Sequence, residues 1–159
     1  IDPTYEDAYV QLGLIYQQRK DSTAVLYYQN TLKINPQNKM ALFNLAKFYQ
    51  DMEQWNEAIE SYTHLLQIYP TYVDAYYNIG FVHIKLGLYD VAANDFSQAI
   101  SFNPDFYEAY YSRGHCYETL GDIARAESDY KKAIQIEDDY QNAKNALDAL
   151  MKRNKQIKQ

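Results

Sequence analysis

Lys33-Ile34-Asn35-Pro36, Gln67-Ile68-Tyr69-Pro70 and Ser101-Phe102-Asn103-Pro104 are three versions of one short stretch, and their spacing decides the fold. The prolines stand 34 residues apart, Pro3 of Ile1-Asp2-Pro3 precedes Pro36 by 33, and Asp138 fills the same place 34 residues after Pro104. A period of this length marks a supersecondary unit that buries its apolar face only by stacking on its neighbours. It divides the chain into four units and a trailing segment.

Outward from each proline, two helical patterns alternate. The first holds Tyr9, Leu12, Gly13 and Tyr16; Leu42, Leu45, Ala46 and Tyr49; Tyr76, Ile79, Gly80 and His83; and Tyr110, Arg113, Gly114 and Tyr117. These are i, i+3, i+4, i+7 sets on one helical face. The second holds Ala24, Tyr28, Thr31 and Leu32, with copies at Ala58, Tyr62, Leu65 and Leu66, at Ala92, Phe96, Ala99 and Ile100, and at Ala126, Tyr130, Ala133 and Ile134. A Gly or Ala facing a bulky ring lets two antiparallel helices approach to ~8–10 Å. Thr4 with Asp7, Thr71 with Asp74, and Asp105 with Glu108 have capping-box spacing just after a proline, which predicts helix starts there. The first unit is one residue short around Lys20 to Thr23, so the turn between its helices must be tighter or its second helix must start later.

Composition agrees with an all-α chain. The 159 residues are 47% hydrophobic and 23% charged, and only 5 Gly and 4 Pro leave little punctuation for a many-turned β architecture. No run approaches ~18 consecutive apolar residues and no basic-then-apolar leader is visible, so no membrane insertion is expected. The net charge is −6, and the tail with Lys152, Arg153, Lys155 and Lys158 leaves −10 on the body. A body of that sign repels phosphate backbones, so nucleic acid is not the expected partner. The tail reads as a solvated helix end whose cations suit the helix dipole. A single cysteine, Cys116, excludes an internal disulfide and a cysteine-based zinc site. The compartment stays open between cytoplasm, the default, and periplasm.

The period and the repeated small and aromatic places resemble the tetratricopeptide repeat, a 34-residue helix-turn-helix unit. The resemblance implies an all-α, right-handed superhelical solenoid with a C-terminal capping helix. In that frame residues 1–5 end a preceding repeat, and 6–38, 39–72, 73–106 and 107–140 are repeats one to four. Residues 141–159 form the cap, whose Lys144 and Asp148 stand where apolar residues would go. Arg113 and His83 depart from the apolar and tyrosine places of the pattern. Ile1-Asp2-Pro3 looks like the last turn of an upstream unit, and self-association through the face near Tyr5 and Tyr9 is a hypothesis.

No phosphate loop, dinucleotide loop, zinc-helix, nucleophile-elbow or calcium-loop signature is present, so neither an enzyme nor a cofactor is expected. His64, His83 and His115 are too scattered for a local metal pair. His115 and Cys116 point about 100° apart on a helix and make no ready nucleophile–base pair. Of the 18 tyrosines, ten fall on packing places: 9, 16, 28, 49, 62, 76, 89, 110, 117 and 130.

A second stripe on each first helix remains, and the resemblance places it on the concave inner surface. It reads Val10, Leu14 and Gln17; Phe43, Lys47 and Gln50; Tyr77, Phe81 and Ile84; and Tyr111, His115 and Glu118. Between these lie Gln11, Asn44, Asn78 and Ser112, one per unit, able to donate to and accept from a peptide backbone. Rings in a stripe not needed for hairpin packing point to a binding surface; the alternative is that they pack on adjacent units. The resemblance therefore implies a non-catalytic scaffold that holds a peptide or protein segment in its groove. The alternatives are a substrate-recruiting arm of a larger enzyme and an RNA-binding helical repeat. Family members that clamp acidic chaperone C-termini use Lys and Asn from one unit, Asn from the next, and Lys and Arg from the third. Here those places hold Val10, Leu14, Asn44, Asp74 and Asn78, or Phe43, Lys47, Asn78, Glu108 and Ser112 one unit on, and only the Asn recurs. Acids oppose a carboxylate, so that subtype is disfavoured. Asp74 and Glu108 read as helix caps.

Overall fold

A computed structural model describes the backbone of residues 3–157 and the side chains of residues 5–156. The Thr4 side chain, with its expected pairing to Asp7, lies outside the described residues, as do Ile1, Asp2 and Lys158. Among the described residues the structure is all-α and has nine helices: α1 Pro3–Gln18, α2 Thr23–Ile34, α3 Lys39–Asp51, α4 Trp55–Ile68, α5 Val73–Lys85, α6 Tyr89–Phe102, α7 Tyr107–Thr119, α8 Ile123–Ile136 and α9 Gln141–Ile157. They fall into two compact units, one with α1–α4 and one with α5–α9. Among the described residues α1 runs from Pro3. Proline suits a helical N-terminus because its missing N–H has no intrahelical partner there.

In the first unit α1 packs on α2, α2 on α3, and α3 on α4. The core joins Val10, Ala24, Tyr28, Ala41 and Phe48. In the second unit the same succession runs from α5 to α9. Its cores are Ala92, Ala93, Phe96 and Cys116, then Ala126, Tyr130 and Leu150. The small-against-ring contact sets each hairpin's spacing. A methyl added to Gly13 would lie 2.4 Å from the Tyr28 ring, one added to Gly80 2.8 Å from Phe96, and one added to Gly114 2.9 Å from Tyr130. Ala46, fully buried, takes this place in the second hairpin.

Helix starts differ from expectation. The N-caps of α5 and α7 are Tyr72 and Phe106, and neither helix has a side-chain cap bond. Thr71–Asp74 and Asp105–Glu108 are therefore not capping boxes. At α7 the entry position instead carries a ring, Phe106, packed 4.9 Å from Tyr77. Side-chain caps occur where the entry residue is short and polar: Asn38 accepts from Ala41 N at 2.8 Å and Asp122 from Arg125 N at 3.0 Å.

The hairpin turns need one residue in the left-handed region. Gly87 and Gly121 supply it with φ of 76° and 80°, whereas Lys20 and Glu53 adopt it with φ of 54° and 58°. A side chain there costs roughly 1 kcal/mol through contact of Cβ with the carbonyl. Glu53→Gly is expected to stabilise the chain by about 0.5–1 kcal/mol in urea unfolding, less the flexibility glycine adds to the unfolded state. A loss of stability would show the turn unstrained.

Candidate binding face

The stripe expected to line a groove divides on inspection of each unit. In the first, Val10 is 3% exposed and sits in the core with Tyr28 and Phe48, so it is a packing residue and not a ligand contact. Curvature from α1 toward α3 covers it, which a single-helix pattern does not reveal. Leu14 packs partly on the same core. Phe43 is half-buried with its ring 5.9 Å from Tyr62, and Lys47 is ion-paired with Asp51. Gln11 is exposed and Asn44 half-buried.

In the second unit, Tyr77 lies 5.5 Å from Phe96 and Tyr111 lies 5.8 Å from Tyr130, so each packs on the second helix of its own hairpin. Each also meets the entry of the next first helix, Tyr77 at Phe106 and Tyr111 at Tyr140, 5.3 Å away. Both rings remain half-exposed. Phe81 is 37% exposed, with the Lys85 ammonium 5.2 Å from its centroid. His115 is exposed, edge-on to Tyr89. Ser112 is half-buried, and the Asn78 amide donates to Asp74 O at 2.8 Å.

The last stripe position has a scaffold role. Tyr28 Oη donates to Gln17 Oε1 at 2.5 Å, Tyr62 Oη to Gln50 Oε1 at 2.8 Å, and Tyr130 Oη to Glu118 Oε2 at 2.6 Å. In the third hairpin the ring is Phe96, and the matching position is Ile84, packed on the same core. Hydroxyl and acceptor are present or absent together, because a buried hydroxyl without a partner is costly. Gln17→Leu is expected to cost about 1–3 kcal/mol, and adding Tyr28→Phe to recover most of it. Additive losses in that double-mutant cycle would dissociate the pair.

The fourth hairpin explains Arg113. Its guanidinium is bidentate to Asp129 with both bonds at 2.8 Å, donates to Ser97 Oγ at 3.0 Å, and stacks between Tyr110 and Tyr117. One residue thus ties α6, α7 and α8. In the third hairpin the corresponding carboxylate, Asp95, meets His83 Nδ1 at 2.6 Å. Burial pushes the Asp95 carboxyl up, against the opposing pull of His83.

Cys116 is fully buried, and burial pushes its thiol from near 9 up to about 12. Burial likewise pushes the Tyr28 and Tyr140 hydroxyls from 10 up to about 12. The unfolded chain releases these protons first, so their contribution is complete below the unfolded values and is lost as pH rises toward 12. Urea midpoints are expected to fall from about pH 9 upward. At neutral pH a thiol reagent should label Cys116 only as fast as the chain opens. Rapid labelling of folded protein would contradict its burial.

Sequence reasoning missed Phe106, Tyr107 and Tyr140. Tyr5, Tyr72, Phe106 and Tyr140 recur just before or at a first-helix start, with Asn38 in the second unit of the series. That periodic ring was the available signal.

Antiparallel helical hairpins locked by small-against-ring contacts, with a row of first-helix side chains left partly open, define a helical-repeat interaction protein. The chain belongs to the tetratricopeptide repeat family. Models of the tetratricopeptide repeat match residues 27–60, 73–106 and 107–143, and a TPR repeat model matches residues 49–87. The crystal structure of MamA protein is similar at a TM-score of 0.85 and 26% identity, covering 99% of this chain and 88% of that one. The first TPR of Spaghetti (RPAP3), bound to the HSP90 peptide SRMEEVD, is similar at 0.70 and 24%, covering 74% and 93%. YrrB, a TPR protein with an unusual peptide-binding site, is similar at 0.76 and 18%, covering 92% and 76%. No curated protein matches the chain by sequence.

Proposed function

We propose that the chain is a non-catalytic scaffold that holds an extended segment of another protein along the first-helix row of its second unit. Family membership supports an interaction scaffold, and one observation supports this face in particular. Tyr77 and Tyr111 pack on one side yet stay half-exposed on the other, with Asn78, Phe81, Ser112 and His115 beside them on the same helices. Rings held rigid by packing present apolar area at little entropic cost, and neighbouring amides supply backbone hydrogen bonds. The row in the first unit is Gln11, Leu14, Phe43, Asn44 and Lys47. Val10 is excluded by burial.

An acidic peptide such as the SRMEEVD bound to the RPAP3 repeat is a poor candidate ligand, since Asp74 and Glu108 stand where a carboxylate clamp needs cations. No helix among the described residues is long and apolar enough to cross a membrane.

A displayed peptide library panned on the chain is expected to enrich binders that lose at least about tenfold in affinity when Asn78, Phe81, Ser112 and His115 are all changed to Ala. These are exposed or half-exposed side chains, so the melt should move by no more than a few degrees. Binders indifferent to the fourfold variant would place recognition elsewhere.

A further inference from the structure

We infer that the aromatic face of the second unit is a docking surface for lysine or arginine side chains of an extended peptide. This rests on the peptide-binding reading above and adds the chemistry of the partner. Tyr77 and Phe106 are 4.9 Å apart, Tyr107 and Tyr140 4.8 Å, and Tyr111 and Tyr140 5.3 Å, so the rings form a near-continuous surface at the entries of α7 and α9. All five are half-buried, so each side chain reaches solvent in part.

Carboxylates border this surface, and the one ammonium early in α9, Lys144, lies 3.9 Å from the Asp138 carboxylate. Glu108 follows Tyr107 in α7, and Glu108 and Glu137 both raise the Tyr107 hydroxyl; Glu108 raises that of Tyr140 as well. Glu137 is exposed and Glu108 half-buried. Glu108 is not spent as a cap, since α7 has no side-chain cap bond, and Glu137 caps α8 through its backbone N–H and not its carboxylate. Two full charges outweigh the partial positive charge of the nearby helix N-termini. The cations that do stack on rings in this unit do so elsewhere, Lys85 on Phe81, Arg113 on Tyr110 and Tyr117, and Arg125 on Tyr117.

Electron-rich ring faces bordered by carboxylates attract an ammonium or guanidinium through the ring quadrupole and the ion pair together. They repel a peptide carboxylate and gain no such term from an aliphatic side chain. A repeat advances ~10 Å, about three residues of extended peptide. A segment with basic residues about three apart would therefore place one cation by Tyr77 and Phe106 and the next by Tyr107 and Tyr140.

The test is an NMR titration of the full chain with three glycine-serine peptides of about nine residues carrying, about three apart, two Lys, two Glu or two Leu. The Lys peptide is expected to shift the Tyr77, Tyr107, Tyr111 and Tyr140 ring signals and to bind at least about fivefold tighter than the others. Raising salt, or Glu108→Gln with Glu137→Gln, should weaken it by about fivefold or more. Tyr107→Leu, which keeps apolar bulk and removes the ring face, should also weaken it, with the melt as control. Leu-peptide binding at these rings equal to or tighter than Lys-peptide binding would overturn the cationic assignment and leave the peptide-binding reading standing. Lys-peptide shifts mapping away from the rings would overturn the assignment too. No ring shift with any of the three overturns the cationic assignment, and if panning also fails the binding face falls with it.

Discussion

The contact on which the rest depends is a first helix with no side chain, or only a methyl, pressed against a ring on the second. Gly13 on Tyr28, Gly80 on Phe96 and Gly114 on Tyr130 leave no room for a Cβ without moving a buried ring. Close approach brings the hydroxyl of each tyrosine under the first helix, away from water. That placement creates the demand met by Gln17, Gln50 and Glu118, and removes it where the ring is Phe96 and the partner Ile84. A steric choice at one position therefore dictates polarity at two others.

The same logic covers the two departures from the repeat pattern. A charged or polar group on a packing face is tolerated only if its desolvation is offset by well-aligned partners. Arg113 has them in Asp129, Ser97 and two tyrosine rings, and His83 has Asp95. These replace apolar contact by oriented hydrogen bonds, and Arg113 links three helices where a leucine would fill space.

The first-helix row shows how a packing surface and a presenting surface share side chains. Tyr77 and Tyr111 touch the second helix behind them and the entry ring ahead, and still expose part of a face. Entry rings also account for the absence of capping at α5 and α7: a position filled by Tyr72 or Phe106 has no short oxygen side chain to offer the backbone. The acids just inside those helices remain available to set the sign of the local field.

Sequence by itself determined the period, the helical hairpins, the small-against-ring pairing and the helical tail, because each is a property of spacing along one or two adjacent helices. It also singled out Phe43, Tyr77, Phe81 and Tyr111 as a second stripe, but the first, second and fourth of these rings pack on the second helix of their own hairpin. Only the tertiary structure decided which of that row stays open. Val10 is buried and Gln17, Gln50 and Glu118 are spent on tyrosine hydroxyls, while Phe106, Tyr107 and Tyr140 join Tyr77 and Tyr111. Periodicity reports the direction in which a side chain leaves its own helix. Whether that direction ends in solvent, a hydroxyl or another ring depends on helices distant in sequence, and only their packing settles it.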